Sequence, residues 1–212
     1  MYNISRGSEN MDIFIYILLI IMSYLYGSIP FALVIGKLFY NTDVRNSGSG
    51  NLGGSNAGRV LGKKAGISVI LLDASKCCIS IWIAKIVSHH LGLNPNIIYL
   101  CALACVIGHC YPIFAQFKGG KAVSVAIGYL FMTNIYAALL ALFIFLITLK
   151  ISKYVSLSSI LASISIIIIS PFLDYGVIGT ITNICIVALL IYKHRANIGR
   201  IKNKTENRIT WM

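Results

Sequence analysis

Acidic residues are scarce in this 212-residue chain: six Asp and Glu stand against 18 Lys and Arg, and charged residues of both signs make up only 11% of it. With 58% hydrophobic residues and a mean hydropathy of +0.82, a water-soluble fold is excluded, because a chain of this length could not cover so much apolar surface. No C-x-x-C pair occurs among Cys77, Cys78, Cys101, Cys105, Cys110 and Cys185, which argues against a disulfide framework or a metal cluster and leaves these thiols as small packing groups. The N-terminus lacks a basic start and a small-residue cleavage site, so its first apolar run reads as a retained anchor. Walker and dinucleotide-binding spacings are also missing. Without a linker, repeat or soluble segment, residues 1–212 read as a single polytopic membrane domain.

What is present is a series of apolar runs. Residues 11–26, 65–87, 122–149 and 178–192 approach or exceed the ~20 residues that cross a bilayer as helix. The net charge of +12 would raise the question of nucleic acid in a soluble protein, but its distribution points to a membrane instead. Fifteen of the 18 cations fall within residues 37–64, 118–121, 150–153 and 193–208, whereas the turns at 89–96, 133–136 and 170–176 carry none. The positive-inside rule puts the first set in the cytoplasm and the second outside. Helices are expected at 11–38 (interrupted near Gly27-Ser28-Ile29-Pro30), 64–89 and 96–111, then as a pair within 122–149, and at 156–169 and 177–192. The pair is needed because 28 residues in one straight helix would span ~42 Å across a ~30 Å hydrocarbon layer, both ends of the run are cationic, and Thr133-Asn134 offers a polar break. The expected fold is therefore all-α and integral to the membrane, with about seven transmembrane helices, the N-terminus outside and the C-terminus cytoplasmic. The basic tail, with Trp211 near its end, reads as a contact for anionic lipid head groups.

Four polar segments would then share one membrane face. The first, residues 47–59, carries five glycines, which let backbone amides approach a phosphate closely, together with Ser49, Asn51, Gly53, Ser55, Asn56 and Arg59. In the second, Lys118 and Lys121 flank Gly119-Gly120 beside a helix start, after Gly108-His109. The third brings Lys150, Lys153 and Ser156 to a helix start, and the fourth contains His194, Arg195, Asn197 and Arg200 ahead of Glu206. Each has an ordinary reading when taken alone: a flexible connector, snorkelling lysines, an N-cap, a basic membrane edge. Their convergence is what argues for a multi-pronged anion site. Asp73 and Lys76, three residues apart within a helix, read as a mutually neutralising structural pair, and His89 and His90 as surface residues.

These segments resemble, in order, the three cytoplasmic motifs of the PlsY family of bacterial acyl phosphate:glycerol-3-phosphate acyltransferases. The first is Ser49-Gly50-Asn51-Leu52-Gly53-Gly54-Ser55-Asn56 with Arg59, the second runs from Gly108-His109 to Lys118-Gly119-Gly120-Lys121, and the third is His194-Arg195-Ala196-Asn197-Ile198 with Arg200 and Glu206. Tyr154-Val155-Ser156-Leu157 matches a further serine stretch of that family. Leu52 stands where a proline is usual, and Ala122 and Lys204 where glycines are. The resemblance implies a seven-helix enzyme of the bacterial plasma (inner) membrane, its site facing the cytoplasm. It would move a fatty acyl group from acyl phosphate to the 1-hydroxyl of glycerol 3-phosphate, giving lysophosphatidic acid and phosphate, without cofactor or metal. On this reading His194, Asn197, Ser49 and Arg59 serve catalysis. Asn51, Gly53, Asn56, Lys118, Gly119, Gly120, Lys121, Ser156, Arg195 and Glu206 bind substrate. Membrane lipids are the other expected partners, nucleic acid is not one, and a monomer is expected. The competing reading is a transporter of phosphate or organic anions, a class that places its polar groups nearer the midplane.

Overall fold

The computed structural model describes residues 2–209, so Trp211 and its expected lipid contact lie outside the described residues. Among the described residues all regular structure is helical: α1 (Tyr2–Gly27), α2 (Phe31–Tyr40), α3 (Gly54–Leu61), α4 (Lys63–Leu91), α5 (Ile97–Cys110), α6 (Val123–Thr133), α7 (Ile135–Ser152), α8 (Val155–Ile169), α9 (Gly176–Lys193) and α10 (Arg195–Lys202), with three short 3-10 turns. Among the described residues six helical segments are long and apolar enough to cross a membrane: Glu9–Gly27, Lys63–Leu91, Ile97–Ala115, Ile135–Ser152, Val155–Phe172 and Gly176–Lys193. Their outward faces carry large exposed apolar side chains such as Phe14, Leu71, Trp82, Phe143 and Ile168, which in a bilayer meet lipid.

Both expected breaks are present. The first helix is interrupted within Gly27-Ser28-Ile29-Pro30, as expected. It ends at Gly27, where the Ser28 hydroxyl donates to the Tyr24 carbonyl at 2.8 Å, and the chain restarts as the short α2 behind Pro30, which has no amide to donate. The run 122–149 divides at Asn134, as its polarity predicts, but unequally. Asn134 caps α7 by accepting from the Ala137 amide at 3.0 Å. That leaves α6 with eleven residues, about 16 Å of rise, roughly half the hydrocarbon thickness. Its open C-terminus is served by Lys85 of α4, whose Nζ donates to the Met132 carbonyl at 2.6 Å.

Helices approach closely where glycine removes the side chain between them. α1 and α5 run parallel, with Gly27 against the Cys105 backbone and Gly108 against that of Tyr24, and neither glycine leaves room for a Cβ. Gly108, part of the second motif, is therefore a packing residue. The main core gathers Cys77, Ile81, Cys105, Val106, Val125, Tyr129, Ile160 and Ile186 from α4, α5, α6, α8 and α9. A smaller core of Ala32, Val44, Leu52, Ala57 and Val69 lies under the glycine-rich loop. Leu52, in place of proline, is one of its buried members. The six cysteines are free; four are buried, Cys78 is half-buried and Cys185 is exposed.

Asp73 and Lys76 pair at 2.6 Å, each 1% exposed, with Lys76 Nζ 4.8 Å above the Phe31 ring. His109 Nδ1 lies 3.6 Å from the same carboxylate oxygen. His89 and His90 are exposed, as expected. Because the α1–α5 crossing has no spare volume, Gly108→Ala is expected to destabilise the protein by about 1–3 kcal/mol, read as a lower thermal midpoint in detergent. An unchanged midpoint would show that α1 can move away freely.

Candidate active site

The polar segments meet around one cavity of about 850 Å³ at one end of the bundle. Its mouth is built from loop backbone and cations. In the first loop Gly48 and Gly50 adopt φ of 63° and 67°, and the loop is folded around Asn56. Asn56 Oδ1 accepts from the Ser49 amide at 2.7 Å and from the Ser49 hydroxyl at 3.2 Å, while its Nδ2 donates to the Val44 and Ser47 carbonyls at 2.9 and 3.3 Å. With these bonds made, Asn56 shapes the loop and leaves ligand contact to its neighbours. Asn51 Nδ2 donates to the Gly119 carbonyl at 3.1 Å and ties the first loop to the second.

The second loop lies on the imidazole of His109. The Gly120 amide donates to the His109 carbonyl at 3.0 Å, and the ring packs so tightly on Gly120 that any side chain there would collide with it. Ala122, where the family pattern has glycine, takes a left-handed φ of 71° and is fully buried. From here Lys121 reaches into the third motif, donating from Nζ to Asn197 Oδ1 at 2.6 Å.

The wall opposite is organised by a single carboxylate. Glu206 Oε1 accepts from Asn197 Nδ2 at 2.6 Å and from the Ser156 hydroxyl at 2.7 Å, and Oε2 accepts from Arg200 Nε at 2.7 Å. Burial pushes this carboxyl up, but those three donors outweigh it and hold it below the ordinary glutamate range. The chain past α10 folds back over the cavity mouth, and the Ile209 amide donates to the Lys153 carbonyl at 2.9 Å. Burial, the backbone bond and Lys121 together set the state of His194. Its Nδ1 lies 2.8 Å from the Leu190 carbonyl, which assigns the ring proton to Nδ1 and leaves Nε2 as an acceptor. Desolvation carries its pKa down to about 4, so the ring is neutral at pH 7. Lys121 is brought down to about 8, first by burial and then by Arg200.

Of the residues expected from sequence, Ser49, Asn51, Gly53, Asn56, Arg59, Lys118, Gly119, Lys121, Ser156, His194, Asn197 and Glu206 all line this cavity. Gly120 is beneath it, against His109. Arg195 is turned away, its guanidinium donating to the Tyr192 carbonyl at 3.2 Å and stacking on that ring. Lys193 and Arg200 also line it but were not assigned a site role from the sequence. The spacing of Arg200 from His194 could have pointed to it. Five cations (Arg59, Lys118, Lys121, Lys193, Arg200) thus face one carboxylate, and the side chains of Arg59 and Lys118 make no hydrogen bond or ion pair to another described residue. Among the described residues no three His, Cys, Asp or Glu side chains converge as a metal site requires.

Below the mouth the cavity becomes apolar, running between α6, α7, α8 and α9 past Leu130, Phe145, Ala162, Ile186 and Leu190. The arrangement accommodates an anion and a hydrocarbon tail in one continuous space.

Comparison with known proteins gives a consistent picture. A family model described as glycerol-3-phosphate acyltransferase matches residues 17–204. The glycerol-3-phosphate acyltransferase 2 of Bacillus anthracis is 45% identical over 193 residues, covering 91% of this chain and 98% of its own length. The glycerol-3-phosphate acyltransferase of Listeria welshimeri is 46% identical over 204 residues, covering 92% and 98%. A crystal structure of PlsY, an integral membrane glycerol 3-phosphate acyltransferase, in its glycerol 3-phosphate form superimposes with a TM-score of 0.85 at 40% identity, covering 92% of this chain and 96% of that one. The lysophosphatidic acid form gives 0.83 at 39% identity, covering 92% and 95%.

The charge of Lys121 is complete below its folded pKa of about 8 and is lost as pH rises through it. Binding of sulfate to the detergent-solubilised protein, followed by calorimetry, is therefore expected to weaken between pH 7 and pH 9, a range in which sulfate stays a dianion. Lys121→Arg should move that decline to higher pH. Affinity that stays level across this range in the unaltered protein would take Lys121 out of the anion site.

Proposed function

Because the chain belongs to the glycerol-3-phosphate acyltransferase family, we propose that its cavity transfers a fatty acyl group from acyl phosphate to the 1-hydroxyl of glycerol 3-phosphate, releasing lysophosphatidic acid and inorganic phosphate. The observation that carries the reading is the union, in one cavity, of a mouth bearing five cations and an arm lined by hydrocarbon. Acyl phosphate combines the two demands in one molecule: a dianionic head joined to a tail without the nucleotide or protein carrier that other acyl donors bring. The relatives named above act on, or were crystallised with, glycerol 3-phosphate, which supplies the second anion for the same mouth.

The hydroxyl oxygen attacks the acyl carbon, the carbon–oxygen bond to phosphorus breaks, and the departing phosphate takes the hydroxyl proton. The Arg59 and Lys118 side chains, which make no hydrogen bond or ion pair to another described residue, hold phosphate oxygens through charge-assisted bonds, joined by Lys121. His194, neutral and with Nε2 open, accepts the hydrogen bond of the attacking hydroxyl and aims its lone pair. Its low pKa makes it a guide for that group and a poor store for its proton. Asn197 keeps one amide hydrogen beyond the one given to Glu206, and this faces the oxygen that gains charge as the carbonyl becomes tetrahedral. No covalent enzyme intermediate is needed, since the leaving group is already activated.

The same reading sets the protein in the bacterial plasma membrane with the mouth toward the cytoplasm. There α6, running parallel to α4, serves as a shortened fourth crossing, so that seven crossings leave the N-terminus outside.

Purified protein given palmitoyl phosphate and labelled glycerol 3-phosphate is expected to form lysophosphatidate, and palmitoyl-CoA should not replace the donor. Loss of the Arg59 contact, at ~1.5–3 kcal/mol for a charged hydrogen bond, should lower kcat/KM about 10- to 100-fold in Arg59→Ala with the thermal midpoint retained. A protein that moves phosphate across vesicles without making lysophosphatidate would be a carrier instead.

A further inference from the structure

The apolar arm ends at one level on three helices. Its deepest lining residue is Ile166 on α8, ten residues beyond Ser156; Asn183 on α9, eleven before His194; and Ala141 on α7, eleven before Ser152. At ~1.5 Å of rise per residue each wall is about 15–16 Å long. An arm opening straight into lipid would have no reason to stop its walls together.

What closes it is polar. The Tyr129 hydroxyl donates to Asn183 Oδ1 at 2.6 Å, and Asn183 Nδ2 donates to the Ser170 hydroxyl at 2.9 Å. All three residues are at most 2% exposed. The Tyr175 and Tyr99 rings pack behind them, with centroids 6.3 Å apart. A hydrocarbon end pressing into this floor would have to part hydrogen bonds that it cannot replace, deep in a bundle where no water can either. A purely structural network in this place needed only to join α6 to α9; this one also faces the cavity, since Tyr129 and Asn183 line it.

We infer that the floor formed by Tyr129, Asn183 and Ser170, with Ala141 and Ile166 as its rim, sets the length of acyl chain that the enzyme accepts. This rests on the acyl phosphate reading above. A zigzag chain of ~1.5 Å bonds advances about 1.25 Å per carbon, so about a dozen carbons extend from the mouth to the floor, and longer tails have to bend within the arm. Ala141 and Ile166 are the residues to change, because both reach the end of the arm without belonging to the hydrogen-bonded network.

The test measures kcat/KM for a series of saturated acyl phosphates of increasing length, in the unaltered protein and in two opposite variants whose folding is checked by gel filtration. Ala141→Phe fills the end of the arm and is expected to move the optimum to shorter chains, with the longest donors losing tenfold or more relative to the shortest. Ile166→Ala deepens the rim and should move the optimum to longer chains. Should Ala141→Phe fail to fold, the direction of the Ile166→Ala shift decides alone. Active variants with the unaltered chain-length profile would overturn the inference and mean that the tail leaves sideways between helices. No lysophosphatidate from the unaltered protein with any acyl phosphate would overturn the acyl phosphate reading itself, and the chain-length stop with it.

Discussion

Hydrocarbon gives a charged side chain nothing to bind, and this constraint sorts the cations of the chain into two groups. Several are answered by the protein: Lys76, buried in the bundle, by Asp73 and the Phe31 ring, Lys85 by the Met132 carbonyl, and Lys193, at the mouth, by the Cys110 carbonyl at 2.9 Å and the Tyr111 ring. Also at the mouth, where water reaches, the Arg59 and Lys118 side chains make no hydrogen bond or ion pair to another described residue. Pairing, more than the count of positive residues, separates charges that hold the helices together from charges left for a ligand.

Glu206 turns that surplus into a defined geometry. One carboxylate oxygen gathers Asn197 of α10 and Ser156 of α8, and the other takes Arg200, so elements distant in sequence share one acceptor. Asn197 then passes the constraint to Lys121, whose loop rests on His109 and is tied through Gly119 to Asn51. A second carboxylate here would cancel the attraction for phosphate, and without the first the donors would have no common anchor. The buried Asp73–Lys76 pair carries the same chain one step deeper, because His109 lies against that carboxylate and under Gly120.

Periodicity and charge made much of this legible before any coordinates. The helix break at Asn134, the pairing of Asp73 with Lys76 and the residues that meet in the cavity all follow from local pattern: a polar pair within an apolar run, an i, i+3 spacing, cations confined to loops. Helix length was less legible. Nothing in residues 122–133 says that α6 stops at half thickness, because what stabilises its end is Lys85, nearly fifty positions earlier. The direction of a side chain was hidden as well. Arg195 and Arg200 are equally basic in sequence, yet one stacks back on Tyr192 of α9 and the other turns inward to Glu206. Asn56 resembles a ligand contact until its hydrogen bonds are seen to be used within its own loop.

The position of the reacting carbon follows from solvation alone. A phosphate is stable only among the cations and amides of the mouth, and a hydrocarbon tail only in the arm below Leu190, so a molecule containing both is drawn to one depth with its carbonyl at the boundary. His194 and Asn197 occupy that boundary, each more than nine-tenths buried and each fixed by a bond to its surroundings, at Leu190 and Glu206. Opposing affinities at the two ends thus bring the bond to be broken to the groups that act on it, and alignment is obtained without a covalent hold on the substrate. That reasoning also accounts for a histidine whose proton affinity is low. In a site where the leaving phosphate can receive the proton, the imidazole is more useful neutral, since a charged ring would have no lone pair to aim the hydroxyl.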